Sequence, residues 1–151
     1  MEVRKSLHVV WLLNYSINEF IIRNRYSTYF TVMKKTVVLG ASDNPSRYSF
    51  LAVEKLRRYG HPVIAIGKKQ GKAGDTQIIT ERPDETGVDT VTLYLNPAHQ
   101  QQYYDYILSL HPKRIIFNPG AENEELEKLA RTNNIEPLEA CTLVLLGTGQ
   151  Y

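Results

Sequence analysis

The densest chemistry in the sequence lies in one stretch, Gly40-Ala41-Ser42-Asp43-Asn44-Pro45-Ser46-Arg47. Gly40 lets backbone come close to a ligand. Ser42 and Ser46 offer hydroxyls. The helix predicted to follow offers unpaired N–H groups and the positive end of its dipole, so the stretch suits an anion such as a pyrophosphate. Arg47 adds a fixed, forked charge able to grip two phosphate oxygens. The loop is not G-x-G-x-x-G: only the first Gly is present, with Ser42 at the second position and Pro45 at the last. The same text also fits a capped helix start in an ordinary α/β domain, and the loop alone does not decide between them.

A second group follows about 25 residues on, at Ile66-Gly67-Lys68-Lys69, with Lys72 nearby. An NAD-binding unit places an acid there to hold the ribose 2′-OH. This chain has bases instead, which attract an extra ribose phosphate. The ligand so read is a ribose-phosphorylated adenine nucleotide, NADP or coenzyme A; a plain solvated basic loop reads equally well. Asn96-Pro97 and Asn118-Pro119-Gly120 each put an amide and a rigid turn at a strand end. Asn donates and accepts, which suits an amide-rich ligand such as a pantetheine arm, and Asn also caps helices.

Catalytic machinery does not stand out. His8, His61, His99 and His111 show no metal-ligand spacing and read as surface or turn residues. Cys141 is a lone thiol, read as a buried structural cysteine. Glu122, Glu124, Glu125 and Glu127 read as a solvated helix start. Tyr103, Tyr104 and Tyr106 lie beside no basic run, so they read as packing rather than as a platform for nucleic-acid bases.

These residues need a scaffold, and the hydrophobic pattern predicts one. Thr36–Ala41, Val63–Ile66, Asp89–Leu95 and Lys113–Asn118 are apolar runs of the kind that form strands covered on both faces. Ile135–Leu138 gives a shorter fifth strand, and Leu143–Leu146 is ambiguous. Between them, Tyr48, Leu51, Ala52, Leu56 and Tyr59 recur at helical spacing and Gly60-His61-Pro62 stops the helix. Residues 98–110 and 122–132 give two further helices. Gly67–Gly74 reads as a polar loop. The alternation predicts an α/β fold: a Rossmann-like, doubly wound, mainly parallel five-stranded sheet with helices on both faces. Ligands of such sheets bind outside the carboxyl ends of the strands, where strand order reverses. The loops opening at Gly40, Gly67, Asn96 and Asn118 are therefore the ones that matter.

Composition narrows the class. The chain has 151 residues, 42% hydrophobic and 23% charged, which is one globular domain. One Cys excludes a disulfide framework. No run approaches the ~18 apolar residues of a membrane span. The formal charge of +2 gives no reason to expect a nucleic-acid or membrane partner. All of that excess sits in residues 1–32, where Arg4, Lys5, Arg23 and Arg25 outnumber Glu2 and Glu19 and where Gly and Pro are absent. Residues 1–32 read as an N-terminal extension, a poorly ordered tail or a mis-assigned start, and 33–151 as the domain. The lack of targeting text fits the cytoplasm.

Residues 33–151 resemble the small stand-alone CoA-binding-domain proteins of bacteria, which are similar in fold to the CoA-binding domain of succinyl-CoA synthetase α subunits. Val38–Ser49 looks like that family's V-G-x-S-x-x-P-x-R-x-S loop. Gly60–Ile66 resembles its G-[YH]-x-V-I-P-V stretch, Gly120–Glu125 its G-x-x-N-E-E turn, and Glu139-Ala140-Cys141 its acid-x-Cys step. The resemblance implies coenzyme A binding. Gly40, Ala41 and Ser42 would approach the pyrophosphate, with Arg47 and Ser49 supporting the phosphate loop. Lys68 or Lys69 would meet the ribose phosphate or adenine end, and Asn96 and Asn118, Pro119 and Gly120 would line the pantetheine side. The chain departs from the family at Gly67-Lys68, where Asn-Pro is common, and at Asn118, where Gln is common. The expected function is non-catalytic binding of coenzyme A or an acyl-CoA. The alternatives are an NADP-binding reductase or acyl-CoA ligase component, or an interaction protein with a decayed nucleotide site.

Overall fold

A computed structural model of the chain describes residues 32–151. The expectation for residues 1–32 falls, Val32 apart, outside the described residues. Met33–Tyr151 forms one compact unit.

The elements run β1 (Thr36–Ala41), α1 (Tyr48–Arg58), β2 (Val63–Gly67), β3 (Gly71–Ala73), β4 (Thr76–Ile79) and β5 (Thr90–Leu93). Next come α2 (Pro97–Gln100), a 3-10 turn (Gln101–Tyr103), α3 (Tyr104–Ser109), β6 (Arg114–Phe117), α4 (Glu124–Thr132), β7 (Glu136–Glu139) and α5 (Thr142–Thr148). The strands form a sheet in the order β3-β4-β2-β1-β5-β6-β7. All pairs are parallel except β3–β4. The fold is α/β and Rossmann-like, with β1 central.

The continuous apolar text of β1 has a direct cause. Val37 and Leu39 join one core with Ile107, Leu126 and Ala130, under α3 and α4. Val38 joins a second core with Val53, Leu56 and Leu146, under α1 and α5. Both faces are covered, so neither set of alternating side chains can be polar. Tyr103, Tyr104 and Tyr106 pack against the first core.

The sheet has seven strands rather than the five expected. The polar stretch after Lys69 holds a hairpin. Gly74, at φ 58°, and Asp75 turn β3 back onto β4, and Ile78 of β4 is buried in the second core. β3 is three residues at a sheet edge, too short to leave a period in the sequence. The helix expected over 98–110 is broken into α2, the 3-10 turn and α3. The buried face of α1 is Ser49, Ala52, Val53 and Leu56, whereas Tyr48, Leu51 and Tyr59 are exposed. The α1 stripe is thus rotated by about one residue from the expected one, and Tyr48 faces solvent rather than core.

His61, expected at the surface, is buried at 2% exposure. Its Nδ1 accepts the Lys34 backbone N–H at 3.0 Å, and its ring lies 4.9 Å from that of Tyr151. The Tyr151 ring also carries the Arg114 guanidinium at 4.6 Å, and its hydroxyl bonds Thr36 Oγ1. This cluster closes the end of the sheet where β1, β5 and β6 begin.

Candidate functional site

The chain runs from β1 outward to β2 and β4, then returns across β1 to β5, β6 and β7. Strand order therefore reverses between β1 and β5, and the helices that follow these two strands pack on opposite faces of the sheet. A cleft of about 570 Å³ opens at that point. The volume suits a small-molecule or cofactor site.

Four loops build the cleft. The β1–α1 loop supplies Gly40, Ala41, Ser42, Arg47 and Ser49, and the loop after β2 supplies Lys68 and Lys69. Asn96 follows β5, and Asn118, Pro119 and Gly120 follow β6. These eleven residues, expected at the coenzyme A site, thus line one hollow, whereas Ser46 and Lys72, also read from the sequence as facing the ligand, do not line it. Asp43, Tyr48, Tyr94, Leu95 and His99 line it too and were not singled out. Cys141 does not line it; it is partly rather than fully buried, at the N-cap of α5.

The floor is set by Gly40. Its φ is +89°, and a Cβ there would sit 2.7 Å from the carbonyl oxygen of Tyr94. Only glycine lets the end of β1 lie against the end of β5 this closely. Beyond it the loop is braced internally. Ser42 Oγ accepts the Asn44 N–H at 3.2 Å, and Asn44 Oδ1 accepts the Ser46 N–H at 2.9 Å. Arg47 then sits at the N-cap of α1 in extended conformation, and no side chain among the described residues caps the helix. The first backbone bond of α1 is Leu51 N–H to Arg47 O, which leaves the N–H groups of Tyr48, Ser49 and Phe50 without helical partners. They carry the positive end of the helix dipole beside the cleft. Among the described residues, Arg47 and Lys68 make no ion pair, whereas Lys69 Nζ pairs with Asp43 Oδ2 at 3.0 Å.

The opposite wall is held by two buried amides. Asn118 Nδ2 donates to Thr92 Oγ1 at 2.7 Å and to Leu93 O at 3.0 Å, while its Oδ1 accepts the Thr142 N–H at 2.8 Å. Gln100 Nε2 donates to Leu95 O and Ala121 O, and its Oε1 accepts from Asn123 Nδ2. Gln100 thereby ties the β5 loop to the β6 loop, a role its sequence context does not signal. Asn118 is a strut that joins β5, β6 and α5, with its amide N–H groups and one acceptor position of its oxygen engaged inside the protein. Asn96 caps α2, accepting the His99 N–H at 3.1 Å. Tyr94 lies between the cleft and α5. Burial pushes its phenol well above the usual range and its hydroxyl, buried, has no partner among the described residues.

No helix among the described residues is long and apolar enough to cross a membrane, and none of their His, Cys, Asp and Glu form a metal-binding group.

Comparison with known proteins agrees with this geometry. A CoA binding domain model matches residues 34–147. The crystal structure of an uncharacterized protein is 54% identical, covers 80% of this chain and 100% of its own, and superposes with a TM-score of 0.78. A protein from Thermus thermophilus, at 20% identity, covers 85% of this chain and 98% of its own with a TM-score of 0.71. A hypothetical protein from Pyrococcus horikoshii, at 19% identity, covers 80% and 87% with a TM-score of 0.64. The last two show a shared fold. No curated protein matches the sequence. The family model spans most of the compact unit, including every loop of the cleft, and the chain therefore belongs to the CoA binding domain family.

Proposed function

We propose that the protein binds coenzyme A or an acyl-CoA in this cleft, as a carrier or sensor rather than as a catalyst. One observation carries the reading: in a chain of the CoA binding domain family, the uncapped start of α1 and Arg47 meet at the switch point between β1 and β5. Free N–H groups, a dipole and a guanidinium are what a diphosphate needs. The orientation follows from charge. The diphosphate sits over α1. The ribose phosphate points to Lys68 and Lys69 after β2, and the pantetheine arm runs toward Asn96 and Gly120. That end carries amide and backbone groups rather than cations, which matches an uncharged, amide-containing arm.

The reading against NADP rests on the family match, which favours coenzyme A. Calorimetry with coenzyme A, dephospho-CoA and NADP tests it. Coenzyme A is expected to bind most tightly, and Arg47→Ala to weaken it roughly tenfold, the lower end for a charge-assisted contact because Arg47 is exposed. Binding of NADP without binding of coenzyme A would replace the proposal with a reductase. Heat from none of the three would leave a decayed site.

A further inference from the structure

The cleft contains one carboxylate that an anion site does not call for. Asp43 lies in the phosphate loop and lines the cleft together with Lys68 and Lys69. Its Oδ2 takes the Lys69 ammonium at 3.0 Å. The two chain segments also touch directly: a Cβ built on Gly71 would lie 2.9 Å from Asp43 Cβ. The loop after β2 is thus clasped to the loop after β1 through Asp43, and Lys69 is held in that clasp. Lys68, its neighbour, stands exposed without an ion pair among the described residues.

We infer that Asp43 is a specificity-determining residue that tempers the recognition of the ribose phosphate by sequestering Lys69. The inference rests on the coenzyme A reading and deepens it. A phosphate arriving beside Lys68 must draw Lys69 away from a carboxylate already neutralising it. That exchange makes the phosphorylated ligand bind less tightly than the cluster of cations suggests. The ratio of coenzyme A to dephospho-CoA affinity is then set by Asp43 as much as by the lysines. The clasp is exposed, with Lys69 75% and Asp43 35% accessible, so exchange of partners costs little. The phosphate loop itself is braced by Ser42 and Asn44, not by Asp43, so removing the carboxylate leaves that bracing in place.

Calorimetry with coenzyme A and dephospho-CoA, on the full chain and on Asp43→Asn, Lys69→Met and the double variant, decides the matter. Asp43→Asn is expected to raise the coenzyme A affinity roughly three- to tenfold, the Coulomb effect of one partly solvated unit charge. Dephospho-CoA should gain clearly less. The gain should largely disappear in the Lys69→Met background, because it depends on freeing that ammonium. Asp43→Ser, which removes the same charge with a smaller side chain, should give the same ratio, so a folding defect in one variant does not mimic the result. Equal gains for the two ligands, a gain that persists without Lys69, or a loss of coenzyme A affinity would each overturn the inference. The last outcome would make Asp43 an acceptor for a ribose hydroxyl. If the unaltered protein binds coenzyme A and Asp43→Asn leaves it unchanged, only the inference fails. If neither protein binds it, the proposed function fails as well.

Discussion

Asn118→Ala separates two roles that one residue type can play. In the structure the Asn118 side chain is buried at 3% exposure and makes three hydrogen bonds, to Thr92, Leu93 and the backbone N–H of Thr142. A typical internal hydrogen bond contributes about 1 kcal/mol net, and a buried donor left unpaired costs about 1–3 kcal/mol. Losing all three bonds and orphaning the Thr142 N–H, which starts α5, should cost about 3 kcal/mol. For a domain of this size that lowers Tm by roughly 10–15 °C. With a urea m-value of about 1.5 kcal/mol per molar, the midpoint falls by roughly 2 M. Urea unfolding followed by far-UV circular dichroism measures it directly. Any loss of coenzyme A affinity should be secondary, reflecting a loosened wall. A variant with an unchanged midpoint and an affinity reduced tenfold would show that the amide faces the ligand, and would refute the strut.

Three further outcomes follow from the same geometry. Gly40→Ala forces a Cβ to 2.7 Å from the Tyr94 carbonyl at φ +89° and should destabilise by about 2–4 kcal/mol. Gly120→Ala, at φ +87° with open space around it, should cost only about 1 kcal/mol, and equal costs in urea unfolding would contradict the close approach of β1 and β5. Burial first, then the positive charges of Lys34 and Arg114 opposed by Asp89, hold the His61 pKa below its usual value. The unfolded chain therefore takes up this proton at higher pH than the folded one. The stabilising contribution is full above about pH 6.5 and declines as pH falls through that value toward the folded pKa. His61→Gln should flatten the fall in urea midpoint between pH 7.5 and 5, and a slope identical to that of the unaltered protein would exclude His61 as its source.

The sequence carried the position of the cleft better than the chemistry within it. Strand ends at Gly40, Gly67, Asn96 and Asn118 are marked by glycine, proline and asparagine after apolar runs, and parallel α/β connectivity brings such ends to one edge of a sheet. Side-chain direction is a different matter. An Asn after a strand reads the same whether it reaches a ligand, caps a helix as Asn96 does, or ties strands and a helix together inside the fold as Asn118 does. Gln100 looks like one more polar residue in Gln100-Gln101-Gln102, and only its full burial reveals that it joins two loops. The hairpin of β3 and β4 leaves no mark in the sequence because three or four residues hold too few alternations to show a period. Spacing alone puts Tyr48 on the core face of α1. The helix turns it outward because the smaller Ser49, Ala52 and Val53 let α1 lie close to the sheet, leaving the larger aromatic for the rim of the cleft.

The most direct test of the central claim is a titration of isotope-labelled protein with coenzyme A, followed through backbone amide resonances. The account predicts that the N–H groups of Tyr48, Ser49 and Phe50, which open α1, shift most and early. Smaller shifts should run along Gly40–Ser42 and Lys68-Lys69 on one side and Gly120 on the other. Saturable shifts confined to another surface, with the start of α1 unmoved, would contradict it.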